Sequence, residues 1–201
     1  MQFLENLSEL EDIYSPPAQA SLLKVAQRMT PAYRTWIGHS RFCVVSTVGP
    51  DGVDGSPRGD QGPVVLELDP QTLALPDWRG NNRIDSLRNL IADPRIALMF
   101  MVPGSNNVVR VNGRGRITTD ADLRARFEIN GHQPKVVIVI DIAEIYIQCA
   151  RAVMRSGLWT AGDYADGLPS PGDILSERSS GEFDGKSYDQ NWPKRAKETM
   201  W

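Results

Sequence analysis

The sequence predicts a mainly β chain with peripheral helices, a β+α fold built on an antiparallel sheet or barrel. Three observations carry this. From Arg41 onward apolar residues recur with a period of two, in RFCVVSTVG, PVVLEL, TLALP, RIALMFMV, NVVRVNGRGRITT and KVVIVIDIAEIYIQCA, the pattern of half-buried strands. The runs are separated mostly by short stretches carrying Gly, Pro, Asn and Asp, which favours antiparallel connections over a regular βαβ array. The chain has 201 residues, 41% hydrophobic and 23% charged, enough for one sizeable core.

The elements follow in order. In SPPAQASLLKVAQRM, Ser15 is a cap candidate ahead of prolines, and Thr30-Pro31 repeats that signal for TPAYRTWIGHS. RFCVVSTVG reads as a strand and GPDGVDG as the turn after it. RIALMFMV is apolar on both faces, so a central strand is expected there. Two helices interrupt the strands. NRIDSLRNLIAD stops before Pro94, with Ile84, Leu87, Leu90 and Ile91 on one stripe and Asn81 or Asn82 as the cap. DADLRARFEIN is capped by Thr119 or Asp120 and stopped by Gly131. Closure of the sheet on itself is expected, because closure removes exposed edges. Residues 1–40 form a helical segment packed on the barrel, residues 41–156 the barrel, and residues 157–201 an extension of the same domain. This extension is rich in Gly, Ser, Pro and Asp. It reads as an ordered excursion over a partner surface, ending in a short amphipathic helix in YDQNWPKRAKETMW.

Composition narrows the function classes. A net charge of −3 argues against a large nucleic-acid footprint. No apolar run reaches the roughly 20 residues of a membrane span, and the acidic start MQFLENLSELED is unlike a signal peptide. A cytoplasmic protein is the expectation. Cys43 and Cys149 form no CxxC pair, and His39 and His132 lack ligand spacing, so neither a disulfide framework nor a metal site is expected. Both cysteines read as buried small residues.

Four stretches could carry chemistry. In LPDWRGNNRIDSLRNL, Arg79 and Arg83 flank a helix start, where the dipole disfavours cations unless an anion neutralises them. With Ser86 on the same edge they could clamp a phosphate; the alternative is a surface loop with two solvated arginines. In SPRGD, Arg58 projects from a strand end and Gly59 permits a tight turn or close ligand approach; alone, an ordinary hairpin connection explains it better. In CARAVMRSGLW, Arg151 and Arg155 share a helical face and repel unless an anion lies between them. Trp159 follows, an aromatic able to lie beside a planar ring; the alternative is an exposed basic turn. In VRVNGRGRI, Arg110, Asn112, Arg114 and Arg116 share one strand face, either an ordinary wet face or one meeting acidic groups across a dimer, while Gly113 and Gly115 open the other face or mark a bulge. There is no P-loop, no GxGxxG after a strand, no GxSxG and no HExxH. A chain poor in nucleophiles and rich in anion-binding arginines suits a bound phosphorylated cofactor that supplies the chemistry.

These segments, in this order, resemble the pyridoxamine 5'-phosphate oxidase-related FMN-binding proteins with the split β-barrel fold, and most closely an uncharacterised subgroup. The resemblance is carried by VVSTVGPDGVDGSPRGD, LPDWRGNNRIDSLRNLIADPRIALMFMVPG, VRVNGRGRIT and CARAVMRSGLW and spans roughly Thr35 to Trp159. It implies a homodimer of split barrels with FMN in clefts between subunits. Arg58 with its neighbour Gly59, and Arg79, Asn81, Arg83 and Ser86, would hold phosphate and ribityl. Leu75, Pro76 and Asp77 would run beside the isoalloxazine edge. Arg151, Arg155 and Trp159 would come from the other subunit. It further implies an FMN-dependent oxidoreductase acting on a small molecule, with NADH or NADPH as candidate donor and no residue assigned as acid or base; the alternative is a flavin-binding or electron-carrier protein without its own substrate. Two departures stand out. The Arg-x-His element by which true pyridoxamine phosphate oxidases grip substrate phosphate is absent, and Trp78 occupies a position where relatives carry other residues.

Overall fold

A computed structural model describes residues 1–201. Its elements are α1 (Leu7–Glu11), α2 (Gln19–Leu23), α3 (Pro31–Gly38), β1 (Phe42–Gly49), β2 (Gly52–Gly59), β3 (Leu66–Asp69), β4 (Thr72–Asp77), α4 (Asp85–Ala92), β5 (Arg95–Met101), β6 (Val108–Thr118), α5 (Ala121–Ala125), β7 (Val136–Gln148), α6 (Arg151–Ser156), α7 (Pro171–Arg178) and α8 (Gly185–Glu198). No helix is long and apolar enough to cross a membrane.

The seven strands form one sheet in the order β2-β1-β5-β6-β7-β4-β3, and every pairing is antiparallel. β5 is an inner strand, but its two faces differ. Ile96, Leu98 and Phe100 enter the core, while Met99 stays exposed. Opposite the core face of β5 lie Cys43 and Val45 of β1 and Val109 and Val111 of β6, with Ile138 and Ile140 of β7 and Leu73 and Leu75 of β4 completing the cluster. Closure is incomplete, because the end strands β2 and β3 do not pair with each other. Instead Arg58 of β2 reaches Asp77 of β4, five places away in the sheet order. An ion pair over that span requires a strongly curled sheet, a barrel left open along one seam.

β7 carries a bulge that the alternation does not reveal. Asn112 pairs with Glu144 and Gly113 with Ile142, so Ala143 has no partner. The extra residue shifts the phase of the strand. Ile138, Ile140 and Ile142 point inward before it and Ile145 after it, whereas strict alternation would bury Glu144. A Cβ on Gly113 would lie 2.2 Å from the Asp141 carbonyl oxygen, so the close approach requires glycine. Glu144 instead faces outward and accepts from Asn112 Nδ2 at 2.6 Å. On the same outer face Arg116 pairs with Asp141 at 3.2 Å and Arg110 lies over the Tyr146 ring. Arg110, Asn112 and Arg116 of the row thus find partners within their own chain.

The helices flank this sheet. α3 is capped by Thr30, as its sequence predicts, and Arg34 on it forms a bidentate pair with Glu67 of β3. α2 begins after Ala18 with no side-chain cap, so Ser15 does not cap it. α5 is capped by Asp120 and ends at Ala125, well short of Gly131. α4 packs across β1 and β6, with Ser86 and Leu90 buried and Ile91 79% exposed. The apolar stripe expected from Ile84 to Ile91 is therefore rotated: Ile84 and Ile91 face outward, and the polar Asn89 turns in to donate to Thr47 Oγ1 at 3.1 Å. Cys43 is buried but Cys149 is exposed, because it lies beyond the end of β7.

Residues 157–201 pack mainly on themselves. α7 and α8 form a hairpin in which Gly172 and Gly185 touch backbone to backbone. Asp189 of α8 accepts from Gly172 N and Ser170 Oγ at the start of α7. The segment after α8 returns to the sheet of its own chain, where Trp201 meets Trp78.

Candidate functional site

A cavity of about 830 Å³ opens at the seam, within the size range of small-molecule sites. Its walls are β2 from Asp54 to Gly59, the end of β4, the loop from Trp78 to Ile84, the first turn of α4, Lys135 and Val136, and Met200 with Trp201.

β2 supplies Arg58. Its Nη1 donates to Asp77 Oδ1 at 2.5 Å, with only 19% and 15% of the two side chains exposed. Its Nε is buried and has no partner. Such an orphan is costly unless something accepts from it, so the hydrogen-bonding set of Arg58 is incomplete at the cavity wall. Cys43 lies across from Arg58 in the β1–β2 register; burial pushes its thiol up to about 12, partly opposed by the Arg58 charge.

β4 supplies a backbone edge. Leu75, Pro76 and Asp77 pair with Ile138, Val137 and Val136 on one side. On the other side β3 pairs only as far as Ala74. The last three residues of β4 therefore have no strand partner on that edge, and all three line the cavity.

The loop that follows is held at its start. Trp78 Nε1 donates to Asp60 Oδ2 at 2.9 Å, and Asp60 Oδ1 accepts from Gln61 N at 2.6 Å. Further on the backbone turns sharply, with Asn82 at φ +61° and Ile84 at φ +54°. Left-handed geometry is tolerable for Asn but costly for a β-branched residue. Ile84 is the residue that precedes α4, and no side chain caps that helix. This corrects the expected cap: Asn81 Oδ1 accepts instead from Arg83 N at 3.0 Å, and Asn82 Oδ1 accepts from Lys135 Nζ at 3.4 Å. The first-turn amides of α4 are left without a side-chain acceptor at the cavity wall, an arrangement that attracts anions. Arg83 lies before the helix rather than on one edge of it with Ser86; its Nε donates to Asp85 Oδ2 at 2.9 Å. Ser86 is buried and donates to Asp54 Oδ2 at 2.5 Å.

The structure thus gathers Arg58, Gly59, Leu75, Pro76, Asp77, Arg79, Asn81, Arg83 and Ser86 around one cavity. Arg151, Arg155 and Trp159 lie outside it; Trp159 Nε1 donates to the Ser105 carbonyl at 2.8 Å. Sequence reasoning missed Asp54, Asp60, Lys135 and Trp201. Asp54 was detectable, since it shares strand parity with Arg58; nothing local to Trp201 signals its destination.

Four cationic side chains (Arg58, Arg79, Arg83, Lys135) and three carboxylates (Asp54, Asp77, Asp85) line the cavity. The carboxylates hold Arg58, Arg83 and Ser86 in place. Arg79 makes no ion pair. With the unpartnered Arg58 Nε and the uncapped helix start, the balance favours a bound anion, and the donor set fits a phosphate monoester.

Fold and site together define an antiparallel barrel, open along one seam, with a cavity there that carries more cationic than anionic side chains. Residues 29–149, more than half of the chain, match the family model described as pyridoxamine 5'-phosphate oxidase, and the chain belongs to that family. Among solved structures it is similar in fold to a single-residue variant of HupZ from Group A Streptococcus, with 17% identity and a TM-score of 0.50 over 59% of this chain and 98% of that one. Weaker similarities include general stress protein 26 from Bacillus anthracis (22% identity, TM-score 0.43, 56% of this chain and 88% of that one). An FMN-binding protein from Syntrophomonas wolfei is also similar (14% identity, TM-score 0.45, 58% and 83%). No curated protein matches the chain.

Proposed function

We propose that the seam cavity binds FMN and that the protein is an FMN-dependent oxidoreductase working as a homodimer. The observation that carries this reading is the convergence, on one cavity, of the orphaned Arg58 Nε, Arg79, Arg83 and the uncapped start of α4, beside a free β4 edge. Family membership supports the same cofactor. The arginines and the α4 amides hold the phosphate, the Leu75–Asp77 edge runs along the conjugated ring, and Leu75 and Pro76 exclude water from that side. Bound FMN supplies hydride transfer. No side chain of the cavity is assigned as acid or base. NADH or NADPH is the proposed donor.

The dimer reading is supported by the outer sheet face. Val44 lies opposite Met99, and Phe42 opposite Met101. Phe42 and Met99 are exposed, and Arg110 beside Met99 adds a polar rim. In that dimer Arg151, Arg155 and Trp159, which lie outside the cavity of their own chain, are proposed to serve the partner's cleft.

The test is a flavin titration followed by anaerobic addition of NADH or NADPH. Arg83→Ala is expected to weaken FMN binding about tenfold or more, the range of a lost charge-assisted phosphate contact, while Arg178→Ala on α7 leaves it unchanged. Equal affinities in the two variants would remove the phosphate placement. Bleaching of the bound flavin by a nicotinamide supports the enzyme; binding without bleaching by either nicotinamide favours a carrier.

A further inference from the structure

We propose that Trp78 and Trp201 form an aromatic clamp at the ring end of the seam cavity, with Trp78 as the fixed jaw and Trp201 as the moving one. The inference rests on the FMN reading above and assigns the residues that retain the conjugated ring. Both side chains line the cavity. Their ring centroids are 5.0 Å apart with planes at 75°, the edge-to-face arrangement that aromatic pairs prefer.

The two jaws are held differently. Trp78 follows directly on the β4 edge, and its indole N–H is fixed by Asp60, itself fixed by the Gln61 amide. Trp201 makes no side-chain hydrogen bond of its own; its ring packs edge to face on Trp78. The segment bearing it belongs to the α7–α8 unit, which packs chiefly on itself. Trp201 therefore lacks the hydrogen bond that fixes Trp78, which makes it the jaw freer to swing. Closed, it walls the part of the cavity beside the Leu75–Asp77 edge, which Trp78 directly follows, while Arg83 and the start of α4 lie further along the chain, so one ligand meets both aromatic surface and charge. That combination selects a planar conjugated ring joined to a phosphate.

The experiment measures flavin dissociation from the full-length protein, using FMN and riboflavin as probes. Trp201→Ala is expected to speed FMN release about three- to tenfold, the factor that one edge-to-face aromatic pair represents. It should weaken FMN and riboflavin by the same factor, since both carry the ring. Trp201→Phe should restore most of the retention. Arg83→Ala should weaken FMN and leave riboflavin unchanged, which separates the two parts of the site. Release rates equal to wild type in both Trp201→Ala and Trp78→Ala would overturn the clamp while leaving the FMN site intact. Failure of the wild-type protein to bind FMN would overturn both.

Discussion

Ile84 sits in left-handed backbone geometry at φ +54°, which for a β-branched residue costs about 1–2 kcal/mol. The strain falls at the step from the arginine loop into α4, where it leaves the first-turn amides uncapped at the cavity. Strain of this kind clusters at functional sites, and here it coincides with a helix start that neither Asn81 nor Asn82 caps. Cys43 shows burial acting on a single group. Its thiol is pushed up to about 12, so the neutral form is favoured in the fold. The sign follows: this contribution is fully present below the unfolded value of roughly 8.5 and is lost as pH rises from there toward 12. In a Cys149→Ser chain the remaining thiol should stay unmodified by a thiol reagent at pH 8 and react only once denaturant unfolds the protein. Reaction of the native chain would show that Cys43 is accessible after all.

At the scale of elements, the tail hairpin depends on two glycines. A Cβ on Gly172 would fall 2.2 Å from the Gly185 carbonyl oxygen, and backbone cannot give way cheaply there. Gly172→Ala should therefore part α7 from α8, making residues 157–201 a preferred target of limited proteolysis while the sheet melts within a few degrees of wild type. A cooperative loss of the whole fold would instead mean that the tail is part of the core. The same scale shows what the sequence made legible. Six of the seven strands were readable because their alternation is driven by burial on one face, as in β1 and β5; β2 (Gly52–Gly59) was not, since GPDGVDG reads as a turn and the strand buries no residue that would set a period. The cap at Thr30 was readable because capping is local. The cap of α4 was misread: two asparagines are good cap residues in isolation, yet tertiary placement commits them to Arg83 N and Lys135. The rotated stripe of α4 followed from the same limit, since burial of Ser86 and Asn89 is decided by what β1 and β2 present. Most of the arginine site was readable as charge at a helix start. Its carboxylate partners were not, because pairing such as Ser86 with Asp54, 32 residues apart, leaves no local mark.

For the molecule as a whole, the proposed dimer makes a measurable demand. Met99→Glu places a charge in the middle of the outer apolar face, and a desolvated unpaired charge at an interface costs several kcal/mol. Light scattering should show the wild type at twice the mass of one chain and Met99→Glu at the mass of one, with FMN affinity falling alongside. A wild-type protein that runs as a monomer and still binds FMN would remove the second subunit from the site.

The seam that leaves room for the cavity also leaves two strands each with one unpaired edge. β2 carries Pro57, which has no amide hydrogen to offer, and its glycines at 52, 55 and 59 favour bending. β3 spans only Leu66–Asp69 and is interrupted by an irregularity between Glu67 and Asp69. Such edges are poor templates for a strand from another chain. The protein can therefore keep its sheet open for a ligand without inviting runaway strand-to-strand growth into fibres, and its associations are directed to side-chain surfaces rather than to unpaired backbone.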